Sequence, residues 1–180
     1  MIPLNREPYA TGTGSHQWNG RGGWLFVLFS FSLALALAIM PLPSWALVYR
    51  PEWVALVLIY WCLALPQRIG IAVGWGLGLL LDVLTDSLLG QHALALAVVA
   101  FLTLKLHRRI ATVHVWQQSL IVFFLIATEQ MLVLWVKGVT GHPPWSLSYF
   151  IPSLASMLFW PGIFALLRAL GRNYVTAARK

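Results

Sequence analysis

Three carboxylates lie inside apolar stretches of the chain: Asp82 and Asp86 in one, Glu129 in another. A carboxylate turned toward lipid costs at least about 2.5 kcal/mol, so acids placed this way face a partner, a cavity or a proton relay. Asp82 and Asp86 also complete a series at four-residue spacing that begins with Gly70, Gly74 and Gly78. On a helix each such step turns about 400°, so the series forms a ridge drifting about 40° per step. Small residues on a ridge admit another helix at close range, and the acids that follow then face protein. Two kinds of chemistry are open to Asp82 and Glu129: a relay for protons or cations, or a polar contact between helices, of which the contact is the preferred reading. For Asp86, a seat at the wet interface or a share in capping the turn is as good an account as a partner contact. Basic residues that could answer these acids are few: Arg50, Lys137 and, when protonated, His92 or His142.

No other constellation suggests catalysis. The chain has no His-Glu-x-x-His metal motif, no Gly-x-Ser-x-Gly nucleophile turn and no phosphate loop with its lysine, so no catalytic, cofactor-binding or metal-binding residue is assigned and no cofactor is expected. The glycine series is not a nucleotide fingerprint, because it lies in mid-span with no strand before it. Cys62 is the only cysteine, which excludes an intrachain disulfide. A basic run of Lys105, His107, Arg108, Arg109 and His114 could meet a cytoplasmic partner. The more ordinary reading is a stop signal that also touches lipid headgroups.

The elements that must hold these residues are membrane helices. With 59% hydrophobic and 9% charged residues, the chain is too apolar and too poor in surface charge for a soluble domain. Its net charge of +7 would suggest nucleic acid in a soluble protein. Here the basic residues mark span ends and meet anionic lipid, and no nucleic-acid partner is expected. Six spans are read: about Trp24 to Met40, Pro51 to Pro66, Ile69 to Asp86, Gln91 to Leu106, Val115 to Val136 and Leu147 to Leu170. The second to fourth reach only about 22 to 27 Å, slightly under a hydrocarbon core of about 30 Å. The first could pass for a signal peptide, but Pro41-Leu42-Pro43-Ser44-Trp45 is a poor cleavage site, and the span is expected to stay as an anchor.

Charge placement gives the same count. With a cytoplasmic N-terminus and six crossings, Arg6, Arg21, Arg68, Lys105, Arg108, Arg109, Arg168, Arg172, Arg179 and Lys180 fall inside, and only Arg50 and Lys137 outside. That partition obeys the positive-inside rule with both termini in the cytoplasm. The expected organisation is a disordered Gly-rich tail over 1–23, one six-helix transmembrane domain over 24–172 and a basic tail over 173–180.

The block from Arg50 to Leu96 resembles the core of the bacterial rod shape-determining MreD family. The shared pieces are Arg50-Pro51 opening a span, Tyr60-Trp61 within it, Pro66 closing it, then Gly76-x-Gly78-x-x-x-Asp82 and Leu89-Gly90. Trp116-Gln117-Gln118 and Trp160-Pro161 extend the likeness to the later spans. The resemblance implies a non-enzymatic adaptor of the cell-elongation complex in the bacterial inner membrane. Its implied direct partner is MreC, and through the complex MreB, the glycosyltransferase RodA and a class B penicillin-binding transpeptidase, with membrane lipids around it. The family is also similar in helical layout to the substrate-binding subunits of vitamin uptake systems. That similarity concerns fold and shows no ligand. The alternative function is a small-solute binding or transport subunit, which predicts a solvent-reachable pocket near mid-membrane lined by Asp82, Glu129, Trp75 or Tyr60.

Overall fold

The computed structural model describes residues 21–41, 43, 49–140 and 150–177. Among them are six helices: α1 (Arg21–Ile39), α2 (Trp53–Ala64), α3 (Ile71–Leu84), α4 (Gln91–Thr112), α5 (Val115–Val139) and α6 (Ile151–Ala177). The tail over 1–20, Trp45, His142, the expected span start at Leu147 and residues 178–180 lie outside the described residues. Two stretches, Val115–Val139 and Ile151–Gly171, are long and apolar enough to cross a membrane, and shorter apolar helices occupy Gly23–Ile39, Trp53–Ala64 and Ile71–Leu84.

Helix lengths depart from the sequence reading in both directions. The 12 residues of α2 span only about 18 Å, because Pro51 precedes them and Pro66 follows. The 22 residues of α4 span about 33 Å and run past Leu106 to Thr112. Lysine and arginine are good helix formers, so the basic run ends the apolar stretch without ending the helix. In the same way α1 begins at Arg21 and α6 continues to Ala177, so helix extends into both stretches expected to be tails.

The short α2 is the axis of the bundle. Every residue from Val54 to Cys62 is buried, so a helix apolar on all sides has protein on all sides. It touches α1, α4, α5 and α6, while α3 packs chiefly against α4. The Trp61 indole, 0% exposed, donates to Ser30 Oγ on α1 at 2.8 Å, and Ser30 in turn donates to the Val27 carbonyl. Edge-on ring contacts tie Trp61 to Phe26 at 5.8 Å and to Tyr60 at 5.2 Å, and Tyr60 to Phe164 of α6 at 5.9 Å. Side chains thus fill the middle of the bundle around Tyr60.

The glycine ridge faces α4. A methyl group at Gly74 would stand 2.8 Å from the Leu96 carbonyl oxygen, and one at Gly78 would fall onto the backbone of His92 and Ala93. Gly70 is looser, its nearest neighbour being the Leu104 side chain at 3.2 Å. Gly76, off the ridge, faces open space. Backbone contact along α3 and α4 sets the geometry on which the Asp82 site depends.

Candidate functional site

The turn between α3 and α4 is built around one carboxylate. Asp82 is 0% exposed and sits in the last turn of α3. Its Oδ2 accepts the Gly90 amide at 2.8 Å, and its Oδ1 accepts the His92 amide and the Ser87 hydroxyl, both at 2.9 Å. The His92 ring Nδ1 lies 2.7 Å from the same Oδ1. Since an ionised carboxylate only accepts, this nitrogen carries the hydrogen. The Ala93 amide adds a long contact at 3.4 Å. Gly90, His92 and Ala93 are the cap and the second and third residues of α4, whose first-turn amides have no partner within their own helix. Asp82 therefore caps a helix other than its own, and its negative charge lies at the end of α4 where the helix dipole favours it.

The chain needs two left-handed residues to make that turn. Gly90 has φ 98° and is suited to it, whereas Asp86, at φ 51°, is not a glycine. Asp86 is exposed and belongs to the types that adopt this conformation most readily. The ridge spacing that grouped the two acids separates them in practice: one is enclosed by the α4 terminus and the other projects from the turn.

Beside this turn lies a cavity of about 220 Å³ bounded by the end of α1, the start of α2 and the residues before it, the end of α3 and the starts of α4 and α6. Arg50, Glu52, Trp53, Thr85 and His92 supply its polar lining. Asp82, Glu129, Trp75 and Tyr60 do not line it. Tyr60 is in the aromatic core and Trp75 is 53% exposed. Glu52 stands at the N-cap position of α2 without a side-chain capping bond, and its amide donates to Ser156 Oγ of α6 at 2.9 Å.

Behind Glu52, on α5, stand Glu129 and Gln130, 3% and 4% exposed. Glu52 is the electrostatic neighbour of Glu129 and touches Gln130, with Arg50, His92 and Lys137 also in range of its charge. Among the described residues Glu129 Oε2 and Gln130 Oε1 have no hydrogen-bond partner. Gln91 Nε2, at the start of α4, is likewise without one. Arg50 and Glu52 make no ion pair with each other; the acid–base contact found among the described residues is His92 with Asp82. Glu52 escaped the sequence reading because it follows Arg50-Pro51 at a span edge, where an acid needs no explanation.

At the opposite end, Lys105, Arg108 and Arg109 are exposed on the last turns of α4. Gln118 reaches back from α5 to donate to the carbonyls of Ile110 at 2.9 Å and Val113 at 3.2 Å, closing the end of α4. Among the described residues no three His, Cys, Asp or Glu side chains assemble as metal ligands.

Residues 20–170 match the family model of the rod shape-determining protein MreD. The chain belongs to the MreD family. That match takes in α1 to α5 whole and α6 as far as Leu170. The chain is 31% identical over 150 residues to the rod shape-determining protein MreD of Haemophilus influenzae, an alignment that covers 83% of this chain and 93% of that protein. No solved structure matches it. The pieces that carry the MreD resemblance have identifiable places in the bundle. Arg50-Pro51 forms the cavity rim, Tyr60-Trp61 the aromatic core, Gly78 and Asp82 the α3–α4 contact, and Gln118 the clasp on α4.

Proposed function

We propose that the chain is a non-enzymatic membrane adaptor of the cell-elongation complex, which binds MreC directly and helps control side-wall peptidoglycan synthesis and rod cell shape. Through that complex it works with MreB filaments, RodA and a class B penicillin-binding transpeptidase. In this reading the six helices form a bundle in the inner membrane with both termini in the cytoplasm. The Asp82 turn and the cavity beside it then lie at the periplasmic end, and Lys105, Arg108 and Arg109 at the cytoplasmic end, in line with the positive-inside rule.

The observation that carries the proposal is the closed bonding of Asp82. Its carboxylate serves the α3–α4 turn with Gly90, Ser87 and His92 as donors, as expected of a structural acid rather than of a relay that must exchange its proton. The aromatic interior around Tyr60 supports the same side of the choice, since a solute-binding subunit needs that space open. Family membership supplies the shape-determining context.

The test is recovery of MreC with the tagged chain from solubilised membranes, together with cell shape after depletion and complementation. MreC recovered with the chain, and rods restored by it, is the expected result. Rod shape that survives depletion, or is restored by a chain that recovers no MreC, overturns the proposal.

A further inference from the structure

We propose that the cytoplasmic end of α3 and α4 forms a seat for the headgroup of one anionic phospholipid, with Arg108 holding its phosphate. This rests on the membrane orientation given above and supplies a ligand for the end of the bundle opposite Asp82. The bundle has a step there. Asp82 accepts the Gly90 and His92 amides, so α3 and α4 are level at the Asp82 end. At the other end Gly70, just before α3, lies against Leu104, and the eight residues of α4 from Lys105 to Thr112 run on for about 12 Å beyond it. The α2–α3 turn, where Gln67 and Arg68 are exposed, is the floor of the step, and α4 is its wall.

The wall continues the face of α4 that receives the glycine ridge. Gly78, Gly74 and Gly70 lie against Ala93, Leu96 and Leu104 in turn. At about 100° per residue, the next positions on this face are His107, Arg108 and Ala111, while Arg109 points about 140° away from Leu104. His107 is turned back, its Nδ1 donating to the Leu104 carbonyl at 2.9 Å. Arg108 is exposed and, among the described residues, makes no ion pair. Arg68 adds a second positive charge on the floor, its guanidinium 5.8 Å from the centre of the Trp24 ring. The acids among the described residues, Glu52, Asp82, Asp86 and Glu129, belong to the opposite end.

Depth selects a lipid over a cytoplasmic protein. Leu104 lies about 20 Å along α4 from the Asp82 end, about 10 Å short of crossing a hydrocarbon core of about 30 Å. A cation at that depth is costly unless an anion descends to it, and a headgroup descends by local thinning of the bilayer where a folded protein does not follow. Phosphate oxygens accept the guanidinium fork in two parallel bonds. Deeper than the step, Ile71 and Trp75 on α3 and Phe101 on α4 are 46%, 53% and 48% exposed, which leaves apolar surface for the acyl chains.

The experiment is native mass spectrometry of the purified full chain after equilibration with mixed micelles of phosphatidylglycerol and phosphatidylcholine. The expected result is one phosphatidylglycerol retained in preference to phosphatidylcholine. Arg108→Gln should lower that occupancy at least fivefold, and Arg109→Gln, which removes the same charge from the adjacent position, by less than twofold. Equal loss in the two variants, or equal retention of the two lipids, overturns the seat. The unsubstituted chain is also labelled with phosphatidylglycerol carrying a photoreactive headgroup, which decides the matter even where Arg108→Gln does not fold. Adducts on Gln67 to Gly70 or on Arg108 and Ala111 are expected, and adducts confined to the Arg109 side of α4 overturn the proposal. So does a photoreactive residue at Ala111 that captures an acidic protein segment in cells. Recovery of MreC tests the adaptor reading separately, and either result can fail while the other stands.

Discussion

Asp82 and His92 meet twice: the carboxylate Oδ1 accepts the His92 backbone amide at 2.9 Å and faces its ring Nδ1 at 2.7 Å. One residue therefore fixes both the start of α4 and the orientation of a side chain on the cavity wall. Replacing Asp82 disturbs two things at once, and the replacements can be graded.

Asp82→Asn keeps an acceptor for the Gly90 or His92 amide but loses the charge and half the acceptor capacity. A loss of about 1 to 2 kcal/mol is expected, in the range of a helix cap. Asp82→Leu leaves all these donors buried and unanswered and should cost about 3 to 5 kcal/mol, as when one partner of a buried pair is removed. Denaturant titration of the purified protein in lipid nanodiscs measures the difference. Cell shape at matched protein level should follow the same order; equal failure of shape with both variants folded and MreC still bound would point instead to a relay.

Gly78→Ala forces a methyl group onto the backbone of His92 and Ala93, which cannot swing aside as a side chain can. Helices α3 and α4 must separate, at a cost of about 1 to 3 kcal/mol or more, and the Asp82 bonds lengthen with them. Gly76→Ala meets nothing within 4 Å and should change stability by less than about 1 kcal/mol. The folded fraction after mild heating, read by size-exclusion chromatography, distinguishes the two. Equal behaviour would mean that α3 does not lie on α4 as described.

Trp61→Phe keeps a ring against Phe26 and Tyr60 but deletes the bond to Ser30 Oγ. The expected loss is about 1 to 3 kcal/mol, combining an unmade buried hydrogen bond with lost ring volume. Ser30→Ala should cost less than Trp61→Phe, because it removes the same bond and leaves the larger ring in place. A double variant close to Trp61→Phe alone would verify that the two residues act as one contact.

A reporter fused after Lys180 should be active only in its cytoplasmic form, and one inserted at Gly141 only in its periplasmic form. The motive is the ten-to-two division of the 12 lysines and arginines. A periplasmic C-terminus would remove the six-span arrangement and with it the periplasmic placing of the cavity.

What the sequence could and could not reveal follows from the range of each interaction. The ridge of Gly70, Gly74 and Gly78 was legible because four-residue spacing has one meaning on a helix. Its target was not, since spacing says that something comes close without saying what, and here it is the next helix in the chain. The end of α4 was misjudged because hydropathy marks where an apolar stretch stops, while helix propensity carries Lys105 to Thr112 onward. Glu52 was missed for a third reason: its closeness to Glu129 comes from α2 and α5 meeting in space, and neither local pattern contains it.

The Asp82 cap also bears on how the chain can be made. Its donors all arrive within the eleven residues that follow it. At about 5 to 20 residues per second, synthesis leaves the carboxylate without them for roughly one second. Thereafter α3 and the first turn of α4 can leave the translocation machinery as a closed hairpin with its charge already shielded. Glu129 has no such early shelter, because three helices separate it from Glu52 and the start of α6, which closes that end of the bundle, comes after it. The two buried acids thus mark opposite ends of assembly: one is settled as its helix is born, and the other waits for the whole bundle.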